Sequence, residues 1–130
     1  MAASNMPRRG AGFTLIELLV VMCIIALLLA VAVPRYFHSV ARAREAVLKE
    51  NLTLIRDALD KHYSDTGAYP PNMETLVTKK YLRRLPEDPL TESATTWVLI
   101  PPDKSGKGGV FDVKSGAPGN SLAGEPYAAW

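Results

Sequence analysis

The chain has 130 residues, enough for one small domain, and 48% of them are hydrophobic. Its net charge is +2, and without the first 12 residues, which include Arg8 and Arg9, 13 basic and 13 acidic side chains remain. This neutral body lacks the basic face that nucleic-acid binding requires, so no nucleic-acid partner is expected. The single cysteine, Cys23, excludes an internal disulfide and a multi-cysteine metal site.

Residues 13–33 form an apolar segment of 21 residues that contains a single charge, Glu17. A helix of this length, rising ~1.5 Å per residue, spans the ~30 Å hydrocarbon core of a bilayer. Arg8 and Arg9 precede the segment, and the first 12 residues contain no acid. The positive-inside rule therefore predicts a cytoplasmic N-terminus and a C-terminal body outside the inner membrane.

Three classes of apolar segment compete at this position. A cleavable secretory signal is shorter and ends in small residues, which residues 34–37 do not provide. A plain membrane anchor with a small sensing domain fits the length, but a carboxylate inside the bilayer costs about 2.5 kcal/mol or more unless it is paired. A helix that leaves the membrane for a protein bundle explains Glu17, because its carboxylate can meet a neighbour's cation.

Residues 35 to about 64 continue with a helical pattern, so one helix is predicted from about residue 13 to 65, ending at Gly67. Opposite charges such as Arg56 and Asp60 are expected to support it. His38 and His62 are expected at its surface or at an interface. Its apolar stripe, which must pack on the C-terminal body, comprises Val40, Ala43, Val47, Leu48, Leu52, Ile55, Ala58, Leu59 and His62.

The remainder of the chain reads as loops with little regular structure. Asn72 can cap a short helix that ends at Val77. Residues 95–100 and 110–114 are rich in β-formers and predict two short strands, followed by an irregular Gly/Pro-rich tail. The elements together predict an α+β fold, with a long N-terminal helix on a small C-terminal antiparallel sheet.

The N-terminal motif carries a family resemblance. Residues 8–21, RRGAGFTLIELLVV, resemble the class III signal of type IV prepilins and pseudopilins. The resemblance implies cleavage between Gly12 and Phe13 by a prepilin peptidase and N-methylation of Phe13. It also implies that Glu17 neutralises the Phe13 amine of an adjacent subunit, and that Pro34 kinks the helix.

The body extends the resemblance to the major pseudopilins of type II secretion systems, through Gly-Ala-Tyr-Pro at residues 67–70, Leu-Pro at 85–86, Asp-Pro at 88–89, Phe-Asp-Val at 111–113 and Trp130. This implies a type IV pilin-like fold with a cleaved leader (1–12), a transmembrane and filament-core helix (13–34) and a periplasmic body (35–130).

The implied function is a homo-oligomeric periplasmic filament that drives export of folded proteins. Its implied partners are minor pseudopilins, a prepilin peptidase, an assembly platform with its ATPase, and the inner membrane. A surface type IV pilin or minor pilin, acting in adhesion, motility or DNA uptake, is the alternative. No enzymatic activity is expected, because no nucleophile–base–orienter set is apparent.

The resemblance also implies a possible calcium site, because major pseudopilins usually bind calcium in a C-terminal loop with a Gly-Ala-Asp-Gly pattern. Here Pro118 occupies the position of the aspartate and supplies no side-chain ligand. Asp103, Asp112 and Glu125 could contribute ligands, but Asp103 also fits a solvated turn and Asp112 an exposed strand or structural position. Calcium is therefore not assigned, and packing around Pro118, Pro126, Tyr127 and Trp130 is the alternative way to hold the loop.

Overall fold

The computed structural model describes residues 12–103 and 108–130, so most of the expected leader lies outside the described residues. The chain divides into two compact units, the first ending at His38 and the second beginning at Ser39. Helix α1, Leu15–Thr66, includes Pro34 and agrees closely with the predicted helix from about residue 13 to 65. Gly67 follows α1 with φ of 74°, a left-handed conformation that ends helices and suits glycine.

The second unit has its core along one face of α1. The buried side chains of that face are Leu48, Leu52, Ile55, Ala58, Leu59 and His62. They pack with Met73, Leu76, Trp97, Val110 and Val113 from the rest of the unit. The predicted stripe is confirmed from Leu48 onward, whereas Ala43 and Val47 are exposed. The amphipathic half of α1 therefore packs on the C-terminal body, as expected.

The sheet has two antiparallel strands, β1 (Val98–Ile100) and β2 (Asp112–Lys114), with Leu99 opposite Val113. Both strands are shorter than the predicted 95–100 and 110–114. The backbone N–H of Val110 donates to the carbonyl of Pro70 (2.8 Å) and is therefore not used in the ladder. Trp97 is buried, and its indole N–H donates to the carbonyl of Pro86 (2.9 Å).

A short helix α2, Glu74–Thr78, precedes the loops of the body. The side-chain oxygen of Asn72 accepts a hydrogen bond from the backbone N–H of Thr75 (2.9 Å), which is the expected capping interaction. A single 3₁₀ turn, Tyr127–Ala129, lies near the end of the chain. The α+β prediction of a long helix with a small antiparallel sheet is confirmed.

Two side chains on α1 have partners that the sequence did not indicate. Arg56 pairs with Asp112 of β2, with 2.8 Å between Nε and Oδ1, where the sequence suggested Asp60. His62 is only 3% exposed, and its Nδ1 lies 2.7 Å from the carbonyl oxygen of Ala68 beyond the helix end. Arg56 therefore has a partner far away in sequence, whereas His62, buried as a member of the predicted stripe, has its hydrogen-bond partner close to the end of its own helix.

Candidate functional site

The described part of the first unit is a helix that exposes its apolar side chains. Phe13 is 87% exposed, and the large hydrophobic residues from Leu15 to Val33 are exposed as well. An apolar surface of this extent is unfavourable in water and marks a site for lipid or protein contact. By length and composition, α1 is a helix that can cross a membrane. This apolar helix is the candidate membrane-anchoring and assembly element.

Glu17 and Thr14 form a reciprocal pair at the start of α1. The Glu17 backbone N–H donates to the Thr14 hydroxyl (3.2 Å), and the Thr14 N–H donates to Glu17 Oε2 (3.4 Å). This is a capping box, which satisfies two backbone donors that the first helical turn leaves unpaired. Thr-x-x-Glu before an apolar run is the sequence signature of such a box, and it gives Glu17 a role besides the one expected in assembly.

The other residues of the N-terminal motif lie near this box or within α1. Gly12 is exposed, and a Cβ placed on it would meet no atom within 4 Å. Pro34 lies inside α1, and the helix continues on both sides of it. Cleavage after Gly12, methylation of Phe13, pairing of Glu17 with a neighbour and a kink at Pro34 stay predictions.

In the second unit, residues 116–130, called here the C-terminal loop, dock on α1 through Glu45. Glu45 Oε1 accepts hydrogen bonds from the backbone N–H of Leu122 (2.7 Å) and from the hydroxyl of Tyr127 (2.9 Å). Burial, the hydrogen bond to Glu45 and the negative charge of Glu45 raise the pKa of Tyr127 above 10.0. One carboxylate thus holds two points of the loop.

Arg56 holds the far end of the same loop. Its Nη2 donates to the carbonyl oxygens of Trp130 (2.7 Å) and Val113 (3.1 Å), while its Nε donates to Asp112. The ammonium of Lys49 lies 4.8 Å from the centre of a Trp130 ring, a distance suited to a cation–π contact. The guanidinium therefore joins α1, β2 and the loop, a role the sequence did not indicate because its partners are distant in the chain.

The acids proposed as calcium ligands are not brought together. Asp112 Oδ1 accepts from Arg56 Nε and from the Val113 backbone N–H (both 2.8 Å), so its oxygen already has two donors. Asp103 and Pro118 are exposed, and the Pro118 side chain has no ligand atom. Within residues 12–103 and 108–130, no three His, Cys, Asp or Glu side chains lie close enough to hold a metal ion. The residues do not fit calcium.

Comparison with known proteins identifies both parts of the chain. A family model described as the prokaryotic N-terminal methylation motif matches residues 7–33. The type II secretion system core protein G of Pectobacterium carotovorum is 30% identical over 128 residues, covering 85% of this chain and 80% of that protein. The chain belongs to the type II secretion system core protein G family. The core protein G of Pseudomonas aeruginosa is 36% identical over 98 residues, covering 63% of this chain and 69% of that protein.

Membership of the core protein G family confirms the resemblance to major pseudopilins and agrees with the type IV pilin-like fold. The pilin alternative has weaker support. A type IV major pilin protein of Myxococcus xanthus is 36% identical over 69 residues, but the match covers only 31% of that protein. No solved structure is a significant match. The first unit therefore consists of the apolar half of α1 together with the N-terminal methylation motif.

Proposed function

We propose that this chain is the precursor of a structural filament subunit and not an enzyme. A prepilin peptidase removes residues 1–12 by cutting between Gly12 and Phe13, and the new Phe13 amine is methylated. Residues 13–34 are first a transmembrane helix and then part of the filament core, while residues 35–130 form the periplasmic body. Proline at position 34 loosens α1 locally, because it removes one backbone donor.

In the proposed mechanism the subunit inserts in the inner membrane with its N-terminus in the cytoplasm. An assembly ATPase and a platform protein extract it, and copies of the helix pack into a bundle alongside minor pseudopilins. Burying apolar side chains against one another stabilises the bundle by about 25 cal/mol per Å² of surface removed from contact with water. The growing periplasmic filament drives folded proteins across the outer membrane.

The observation that carries the proposal is the exposed apolar helix next to the prepilin-like motif. Phe13 and the apolar side chains through Val33 are exposed in the described unit, so lipid or other subunits must cover them. A carboxylate at Glu17 is costly in lipid and becomes favourable where a cation is available. The relatives' name, type II secretion system core protein G, supports a secretion filament over a surface pilus.

Mass spectrometry of the N-terminus of the protein from native membranes tests the processing step. A mature chain that begins at methylated Phe13 is expected. An intact N-terminus starting at Met1 or Met6 would contradict both filament functions and favour a plain anchor.

A Gly12→Ala variant sharpens this test. Slowed or blocked cleavage is expected, because the peptidase must approach the backbone at a residue without a side chain. The space around Gly12 is open within the chain, so any effect reports on the peptidase and not on the protein's own folding. The readout is the ratio of precursor to mature band, and an unchanged ratio would refute the cleavage assignment.

Deletion of the gene separates the secretion function from the pilin function. Loss of secreted proteins from the medium, with twitching motility and DNA uptake unchanged, is expected for a secretion filament. The reverse pattern would favour the pilin alternative to which the Myxococcus relative points.

A further inference from the structure

We propose that Glu45 organises the C-terminal loop of this chain through direct hydrogen bonds, in place of the cation that the family resemblance implies. The inference concerns the folding of the body and does not depend on the proposed filament function. The described acids do not come together as a calcium site, and a side chain of α1 orders the loop.

The Glu45 side chain is hydrogen-bonded to two separate points in the loop. Leu122 and Tyr127 both donate to the same oxygen, Oε1, at 2.7 and 2.9 Å. Hydrogen bonds to a charged acceptor are stronger than those between neutral groups. The carboxylate therefore draws residues 122 and 127 to one place, which is also the effect of a bound cation on a loop.

Hydrogen bonds inside the loop close the segment between these two points. The Ser121 N–H donates to the Glu125 carbonyl (2.6 Å), and the Glu125 N–H donates to the Ser121 hydroxyl (3.2 Å). The Tyr127 N–H donates to the Gly119 carbonyl (3.2 Å), which closes the longer turn. Carbonyl oxygens that accept these bonds are directed at protein donors, so the loop needs no ion to satisfy them.

The charges around the loop also disfavour a divalent cation. A cavity of about 560 Å³ lies between the loop and α1, and its lining includes the acids Glu45 and Glu125 and the bases Lys49 and Arg56. Calcium is held by six to eight oxygens, several of them carboxylate oxygens. Two cationic side chains in the same cavity repel such an ion. Arg56 also forms an ion pair with Asp112, the acid on β2.

The test uses the full-length protein in detergent micelles and follows amide hydrogen exchange in the C-terminal loop. Glu45→Ala is expected to lower the protection of the Leu122 amide about tenfold or more, because that amide loses a charged acceptor. Glu50→Ala, which removes an exposed acid from the same helix, is the matched control and should leave protection unchanged.

The same experiment tests whether a bound cation orders the loop. Protection in the wild-type loop should change less than about twofold between excess calcium and excess EDTA, because no ion contributes to its order. A strong gain in protection on adding calcium would overturn the inference. Unchanged protection in Glu45→Ala, or an equal loss in Glu50→Ala, would overturn it as well.

Two milder variants keep the test decisive if Glu45→Ala does not fold. Glu45→Gln retains an oxygen acceptor but removes the charge, and Tyr127→Phe removes only one of the two donors. A partial, several-fold loss of protection within the loop is expected for each. Wild-type protection in both would contradict the role of Glu45. Because assembly is not measured, a negative result leaves the filament proposal to its own tests.

Discussion

Single residues at the start of α1 show how one side chain can have two uses. Glu17 caps its own helix with Thr14, and the family resemblance assigns it to the Phe13 amine of a neighbouring subunit. Capping needs only an oxygen acceptor, which glutamine also provides, whereas neutralising an amine needs a negative charge. The two uses are therefore separable by substitution.

Glu17→Gln is expected to insert in the membrane normally but to reduce filament yield as strongly as Glu17→Ala, because the charge is lost while the cap is kept. Filament yield after shearing, measured against total membrane protein, provides the comparison. Thr14→Val is the matched control, since it removes the capping hydroxyl and keeps the acid. Normal assembly of Glu17→Gln together with failure of Thr14→Val would assign Glu17 to capping alone.

Arg56 is the residue that joins the most distant parts of the body. Arg56→Lys keeps the positive charge but loses the planar fork that reaches Asp112, Val113 and Trp130 together. We expect a loss of about 1–2 kcal/mol in the free energy of unfolding, moderated because the pair is partly solvent-exposed. Denaturant unfolding of the full-length protein in micelles measures it, and an unchanged midpoint would contradict the assignment.

At the scale of elements, the second half of α1 acts as the support for segments that have little regular structure. Its buried face carries the core, and Glu45, Lys49 and Arg56 next to that face fix the C-terminal loop. The two strands have only three residues each, so the sheet contributes little by itself. The C-terminal loop of this protein is therefore ordered by its contacts with α1.

Attachment of the C-terminal loop should weaken in alkali. The folded protein raises the pKa of Tyr127 above 10.0, so its contribution to stability is complete below pH 10.0 and is lost as pH rises through the folded pKa. Tyr81, hydrogen-bonded to Asp65, has its pKa shifted in the same direction. Stability should thus fall as the pH rises above 10.0 and through the raised pKa values of the two tyrosines.

Tyr127→Phe should make that fall shallower, and it should leave the part that Tyr81 contributes. Tyr36→Phe, an exposed tyrosine of the first unit, is the control and should reproduce the wild-type profile. Thermal unfolding at several alkaline pH values is the measurement. A profile identical to that of the wild type in Tyr127→Phe would show that the Tyr127 hydroxyl is not held by Glu45.

At the scale of the whole molecule, the chain combines a unit that exposes apolar side chains with a unit that buries them. The first is suited to lipid or to a bundle of like helices, and the second is a small domain with its own core. A change confined to one unit should therefore leave the role of the other intact.

Leu59→Ala tests this separation. Leu59 is fully buried in the second unit, and its truncation should destabilise the body by about 2–5 kcal/mol, because a cavity adds to the lost transfer energy. Membrane fractionation should remain normal, since residues 13–33 are unchanged. Loss of membrane association by Leu59→Ala would contradict independent roles for the two units. Leu54→Ala, at an exposed position of the same helix, is the control.

Much of the architecture was predictable because its signals are local. Continuous hydrophobicity, the 3.6-residue period from Leu48 to His62 and a glycine at position 67 predicted α1 and its end closely. The second strand was predicted too long, because the backbone N–H of Val110 donates to Pro70, which lies far away in sequence, and not to a strand partner. His62 is buried as a member of the predicted stripe, but the helical period did not indicate its partners, Ala68 and Tyr81.

The amino-acid sequence alone determined the apolar helix, its lone acid, the prepilin-like motif and the family, because hydrophobic length, charge and motif spacing are read along one segment. Only the tertiary structure decided that Arg56 pairs with Asp112 and that Glu45 holds the C-terminal loop. Both contacts join residues more than fifty positions apart, and such pairs are chosen by the packing of α1 on the body. Periodicity tells which face of a helix is buried, but the partner of a charged side chain beside that face depends on what folds back onto it.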